Sequence, residues 1–210
     1  MPWPVTHILT AENYYDSFFS HLNHEKFIIG TCFPDIRYPA RLSRKNTHFK
    51  NLSLPEIQSK PAFQAGLFFH SYVDEMWNGF VLQKNAQIFS EIPADKTMIH
   101  TMKVLQDKFL YETGSNWSQV ANYFTSIYPE EKDFGAGEKM VKQWHQMLAY
   151  YLSKPPNFND LQMLNVSLAP DMVDKIGEYY QEYKDHQHLK SILLDFHEQA
   201  SRLYQEIETV

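Results

Sequence analysis

His70 and Asp74 stand four residues apart in PAFQAGLFFHSYVDEMWNGF, the segment 61–80. On a helix this spacing puts an imidazole and a carboxylate on one face with Cβ atoms roughly 6 Å apart, close enough to meet on one cation. For the pair alone, a His70–Asp74 hydrogen bond on a wet helix surface is the plainer reading. Three upstream groups add to it: His7, Asp35 and His48. Imidazoles and carboxylates are the ligands of Zn²⁺, with bonds of about 2.0–2.2 Å to four groups, or to three and a water. Five such groups exceed one tetrahedral site. If one carboxylate bridges, they serve two cations roughly 3.5–4 Å apart, the arrangement of many phosphoesterases.

The elements that must position these groups read as helical. Pro61 suits the first turn of the helix that carries His70 and Asp74, because its missing N–H would be unpaired there anyway. That helix is expected to run to about Phe89, ahead of Pro93. An N-terminal helix is expected over 9–22, with Tyr14, Tyr15, Phe18 and Phe19 on its apolar face and His21 and His24 at its C-terminal end. The run 26–36 reads as a buried strand or a short buried helix. Within it Gly30 allows another element to approach closely, and Pro34 pushes Phe33 toward an extended conformation, so that Asp35 emerges as the chain turns. Cys32 is expected to be a small buried hydrophobe. The stretch 37–50 is a basic loop holding Arg37, Arg41, Arg44, Lys45 and Lys50, with His48 inside it.

Downstream, Asp95 caps a helix over 96–111 with Met98, Met102, Leu105 and Phe109 on its core face. Asn116 caps the next helix, over 117–128, and another follows over 138–152. The segment 153–170 is a connector, Pro170 opens a helix ending near Tyr183, and a last helix carries Leu189, Leu193, Phe196, Ala200, Leu203 and Ile207. That stripe is a packing seam, within the bundle or against a second copy as a homo-oligomer. Strand alternation is nearly absent. The expected architecture is all-α: one domain over residues 1–210, an irregular bundle of six to seven helices, with the metal motifs in 1–110 and a helical C-terminal half over 115–210.

The composition agrees. A chain of 210 residues with 43% hydrophobic and 15% aromatic content is long and apolar enough for one substantial core. A net charge of −6 without a long basic run gives no support to duplex nucleic-acid binding. No stretch approaches the roughly 20 apolar residues of a transmembrane helix, and the N-terminus lacks the charged and apolar regions of a signal peptide. The single cysteine allows no intrachain disulfide, so a cytoplasmic location is expected.

Thr6-His7, Gly30-x-x-x-Pro34-Asp35-Ile36, Thr47-His48-Phe49 and Gly66-x-x-x-His70-x-x-x-Asp74 resemble, in order and separation, the successive metal-ligand motifs of the zinc-dependent phospholipase C family. That family is all-helical and shares its fold with single-strand-specific zinc nucleases. The resemblance covers roughly the first 80 residues. It implies that Asp35, His48, His70 and Asp74 hold one Zn²⁺, and that His7 helps hold a second with Asp74 as the bridge; other divalent transition metals fit the same donors. The chain departs from the family in two places. Trp3 lies behind Met1 and Pro2, whereas the mature secreted enzymes begin at a metal-binding tryptophan. The family's third zinc takes a histidine shortly after the helix aspartate and a later His-x-x-x-Glu, where this chain has Trp77 to Phe80 and, four residues after His100, Val104. His100 and Asp107 are the pair that would rebuild such a site.

The function this implies is hydrolysis of a phosphoester, as a phosphodiesterase or phospholipase C-like hydrolase acting on a small-molecule or lipid substrate. Asp35 or Glu75 would orient or deprotonate the attacking water, Arg37 and Arg41 would hold the phosphate, and Trp77 would shape the pocket. The alternative from another class is a non-catalytic helical binding or scaffold protein with a residual or structural metal site.

Overall fold

The computed structural model describes residues 3–114, 116–160 and 169–208, the side chains of Pro170 and of 201–208 excepted. All regular structure among them is helical, with no strand. The longer helices are α1 (Pro4–Tyr14), α2 (His24–Cys32), α3 (Ala62–Gln83), α4 (Lys96–Tyr111), α5 (Trp117–Tyr123), α6 (Glu138–Leu152), α7 (Pro170–Tyr183) and α8 (Gln187–Glu208). Short helical turns fill much of the interval between α2 and α3.

α3 is the central element. It packs along α2, while α1 lies against α2, α3 and α4, and α7 and α8 cover α4. The α2–α3 contact is close because both helices present glycine to it. A Cβ on Gly30 would overlap the Phe63 carbonyl oxygen, and one on Gly66 would overlap the Phe27 carbonyl oxygen and lie 2.7 Å from the Thr31 amide nitrogen. The two backbones thus touch one turn before His70. Phe27, Ile28, Leu67, Phe69 and Val73, each under 1% exposed, fill the space around this crossing, inside one apolar cluster that runs from Trp3 to Phe196.

Several sequence expectations meet the structure differently. The N-terminal helix stops being α-helical at Tyr14, and the chain widens into a π turn over Tyr15–Phe19. Asn23, accepting from the Lys26 amide, then starts a new helix. His24 is therefore at a helix N-terminus, held by Glu12 at 3.0 Å and the Tyr123 hydroxyl at 3.1 Å, so the helix-dipole explanation for it does not apply. The ambiguous run 26–36 is the rest of α2 and the 3₁₀ turn Phe33–Ile36. Phe33 stays helical, at φ −67° and ψ −39°, because the chain tightens into that turn instead of extending before Pro34. The helix of His70 and Asp74 ends at Gln83, and the one after Asn116 ends at Tyr123.

Asp95 and Asn116 do cap their helices, through the Met98 and Gln119 amides. In the last helix Leu189, Leu193, Phe196 and Ala200 are buried within this chain, while the side chains of Leu203 and Ile207 and residues 161–168 of the 153–170 connector lie outside the described residues. No helix among the described residues is long and apolar enough to cross a membrane.

Candidate metal centre

His70 and Asp74 point from one face of α3 into the interior, each about 98% buried (1% and 2% exposed). They do not bond to each other, since His70 Nε2 is 3.9 Å from Asp74 Oδ2. Instead His70 Nδ1–H donates to the Thr31 carbonyl oxygen of α2 at 2.9 Å. That bond assigns the proton to Nδ1 and leaves the Nε2 lone pair facing inward, the usual way in which a ligating histidine is oriented. The glycine crossing of α2 and α3 is what brings Thr31 within reach.

His7 comes from the first turn of α1. Trp3, the residue before that helix, gives no side-chain cap; the cap is supplied by Asp107 of α4, about a hundred residues away. Asp107 accepts the Val5 amide at 2.9 Å, the Thr6 amide at 2.8 Å, the Thr6 hydroxyl at 2.6 Å and the Tyr151 hydroxyl at 3.0 Å. So anchored, the His7 ring stacks on that of His70, with centroids 3.9 Å apart, and its Nε2 lies 3.6 Å from Asp74 Oδ1.

Asp35 sits in the 3₁₀ turn after α2, and His48 follows the turn Arg44–Asn46. The Thr47 hydroxyl is 2.9 Å from His48 Nδ1, which aims Nε2 at the centre, 3.6 Å from Asp74 Oδ2 and 4.0 Å from Asp35 Oδ1. Two overlapping donor groups result, His7–His70–Asp74 and Asp35–His48–His70. The two oxygens of Asp74 face different partners, Oδ1 toward His7 and Oδ2 toward His48 and His70.

A tetrahedral cation with bonds of about 2.1 Å separates its ligands by roughly 3.4 Å, so gaps of 3.6–4.0 Å are those of donors spaced around an ion. They are too long for the hydrogen bonds that would otherwise satisfy these atoms. Accordingly His7 Nε2, His48 Nε2, His70 Nε2, Asp35 Oδ1 and Asp74 Oδ1 are buried with no hydrogen-bond partner among the described residues, as is the other ring nitrogen of His7, Nδ1. The donor set therefore fits a divalent cation.

The electrostatics agree. Burial holds the pKa of His7 down to about 4, with proximity to His70 adding to the effect. It depresses His48 and His70 as well, so all three imidazoles are neutral at pH 7, the form that ligates metal. Burial and the neighbouring Asp74 push Asp35 up to about 6. For Asp74, burial pushes upward, and its contacts with His70 and His7 overcome that and keep it ionised.

The remaining candidates separate. Asp107 is committed to the α1 terminus and to Tyr151, and His100 of the same helix belongs to neither donor group, so these two do not assemble a further metal site. Trp77 is buried and donates from Nε1 to Gln106 at 2.8 Å; it belongs to the core, not to the pocket wall. Arg41 is exposed in the left-handed region (φ 53°), where it ends a single helical turn, and it does not line the pocket. The Arg37 guanidinium covers the Tyr38 ring at 3.8 Å, and its charge offsets part of the rise in the Asp35 pKa. Cys32 is buried and its thiol is pushed up by that burial.

Against the centre opens a pocket of about 420 Å³ whose wall includes His48, Asp74, Arg44, Lys45, Lys50 and Glu75. Glu75 is exposed there and accepts from the Asn51 amide at 3.3 Å. Arg44 was one of several basic loop residues in the sequence, and nothing local distinguished it; here its Nη2 reaches Asp74 Oδ2 at 3.3 Å. Compared with models of known protein families, with curated proteins and with solved structures, the chain matches none.

Proposed function

We propose that this protein is a divalent-metal-dependent hydrolase of phosphoester bonds, a divergent relative of the zinc-dependent phospholipase C and nuclease fold. The observation that carries the reading is the convergence of five buried, unpartnered donor atoms beside an open pocket with basic residues on its wall. His7, Asp35, His48, His70 and Asp74 would hold the metal, and because the two Asp74 oxygens face different imidazoles the set would have donors enough for two Zn²⁺ ions. Cations so held supply an activated water as nucleophile and neutralise charge that develops on the phosphoryl oxygens.

This chain's own residues do the rest. Thr31 and Thr47 orient the His70 and His48 rings. Arg44, Lys45 and Lys50 attract and orient the phosphate, a guanidinium being suited to bidentate contact with it. Glu75, on the pocket wall and outside both donor groups, is the carboxylate placed to accept a proton. A second reading, a closed structural metal site in a binding or scaffold protein, is favoured by the near-complete burial of His7, His70 and Asp74.

Metal analysis of untagged protein, together with turnover of a generic phosphodiester, separates the two. A stoichiometry near two with turnover, both lost in His70→Ala, is the result expected of the hydrolase. Bound metal without turnover on a panel of monoesters and diesters would establish the structural reading instead, and an absence of metal would remove both.

A further inference from the structure

Lys45 and Lys50 are exposed on the wall of the pocket that opens against the metal centre. Among the described residues neither side chain has a hydrogen bond or an ion pair. Other lysines on this surface are paired: Lys26, Lys84, Lys132, Lys154 and Lys175 each hold a carboxylate oxygen at 2.7–3.2 Å. The stretch 37–60 contains six basic residues and one acidic one, in a chain whose net charge is −6. Positive charge gathered at one pocket of an acidic protein, without carboxylates of its own, concentrates anions there.

The side chains within 4.0 Å of Asp74 are His7, His48, His70 and Arg44, and neither lysine is among them. At long range Lys45 and Lys50 draw in any phosphoester. At short range their charge falls on the rest of the ligand and not on the end that meets the centre. Beside Asp74, Glu75 is the one carboxylate on the pocket wall; the two lysines outweigh it, so the wall beyond the centre is net positive.

We propose that Lys45 and Lys50 form a subsite for a second anionic group, and that the ligand is a small phosphoester bearing a carboxylate or a further phosphate. This rests on the hydrolase reading above. An uncharged end would forgo the attraction of both lysines, and a cationic end would be repelled by them. A pocket of about 420 Å³ suits a small molecule. The two large hydrophobic side chains exposed among the described residues, Leu82 and Tyr150, are not on its wall, which favours a free ligand over a lipid surface.

The test is calorimetric titration of zinc-loaded, untagged protein with short alkylphosphonates of matched length that end in a carboxylate, a methyl or an ammonium group. Their C–P bond is not hydrolysed, so binding is read apart from turnover. At low salt the carboxylate-ended ligand should bind about tenfold tighter than the methyl-ended one, as expected of one charge meeting exposed lysines, and the ammonium-ended one should bind most weakly. In the double variant Lys45→Gln/Lys50→Gln the carboxylate-to-methyl ratio should fall to within about twofold. Arg41→Gln removes a charge from the same loop but off the pocket wall, and should keep the ratio. A ratio near one in the wild-type chain, or one that survives in the double variant, overturns the subsite and leaves the hydrolase reading standing. Co-sedimentation with phosphatidylglycerol vesicles that the double variant loses would overturn the small-molecule ligand in favour of a lipid surface. If the wild-type chain binds no zinc or turns over no phosphodiester, the hydrolase reading falls and this inference with it.

Discussion

Replacing Asp107 tests whether the centre depends on a cap delivered from across the chain. Two of the four donors to this carboxylate, the Val5 and Thr6 amides, are backbone groups of a buried helix start, and the residue itself is 0% exposed. In Asp107→Ala all four donors lose their acceptor. The two hydroxyls can turn elsewhere, but the amides cannot, and a buried orphan costs roughly 1–3 kcal/mol. With the lost helix-terminus charge the destabilisation should come to about 4 kcal/mol. Asp107→Asn keeps one oxygen and turns an amide nitrogen toward at least one backbone donor, for about 2–3 kcal/mol by the same reasoning.

Urea unfolding of metal-free protein at pH 8, well above the pKa of about 6 to which burial pushes this carboxyl, measures both. With a slope of about 2–3 kcal/mol per molar the alanine variant should unfold roughly 1.5 M earlier. Its zinc stoichiometry, measured below the transition, should match that of wild type. A midpoint within about 0.2 M of wild type, or a lost metal equivalent at unchanged stability, would refute the capping role and make Asp107 a ligand.

Three further outcomes follow from the same geometry. Gly66→Ala should cost about 1–3 kcal/mol in urea by forcing α2 from α3, and should weaken zinc binding about tenfold or more by moving Thr31 off His70; unchanged zinc affinity would detach the glycine crossing from the site. At pH 5.5, zinc binding should release under about two protons: about 0.8 from Asp35, with its pKa near 6, less than an ordinary imidazole's share from His70, whose pKa burial lowers, and almost none from His7 and His48. Three imidazoles with ordinary pKa values near 6.5 would release about 2.7, so calorimetry in buffers of different ionisation enthalpy distinguishes buried neutral imidazoles from ordinary ones. Trp77→Phe removes the bond to Gln106 and should cost about 1–2 kcal/mol with phosphodiester turnover within about twofold of wild type; a larger loss of turnover would return Trp77 to the pocket.

What could be read before folding was whatever one segment decides by itself. The His70–Asp74 face is a matter of helical period, and the Asp95 and Asn116 caps need only the next three residues. Gly30 announces a close approach because its lack of a Cβ is a local fact, although what approaches it, the Phe63 backbone, lies on a different helix. Where the outcome depends on distant chain, sequence reasoning failed. His100 and Asp107 share a helix and look like a ligand pair, but the α1 terminus claims Asp107 from about a hundred residues upstream. Trp77 looks like a pocket aromatic until Gln106 and the core enclose it. The bias of a residue before proline toward extended conformations was overridden at Phe33, whose ring is packed against Phe63 and Phe134. Arg44 could not be told from Arg41 by composition, and only the fold decides which of them reaches Asp74.

The centre also differs from the other buried charges of this fold in a way that bears on what it is for. Asp107 is as buried as Asp74, yet it has four donors. Glu131 and His145, buried in the second half of the chain, close on each other at 2.6 Å, and the Tyr128 amide donates to the other Glu131 oxygen. A fold that pairs both oxygens of Asp107 and of Glu131 leaves the five donor side chains of the centre facing one another across gaps of 3.6–4.0 Å. Each unpaired buried atom costs roughly 1–3 kcal/mol, and slight rotations toward direct hydrogen bonds would recover part of that. Two of the rings are instead held in place from behind, His70 by Thr31 and His48 by Thr47, which preserves the gaps at the expense of stability. Local sacrifice of stability is what a site shaped for a ligand looks like, and the spacing and chemistry of these five donors suit a cation.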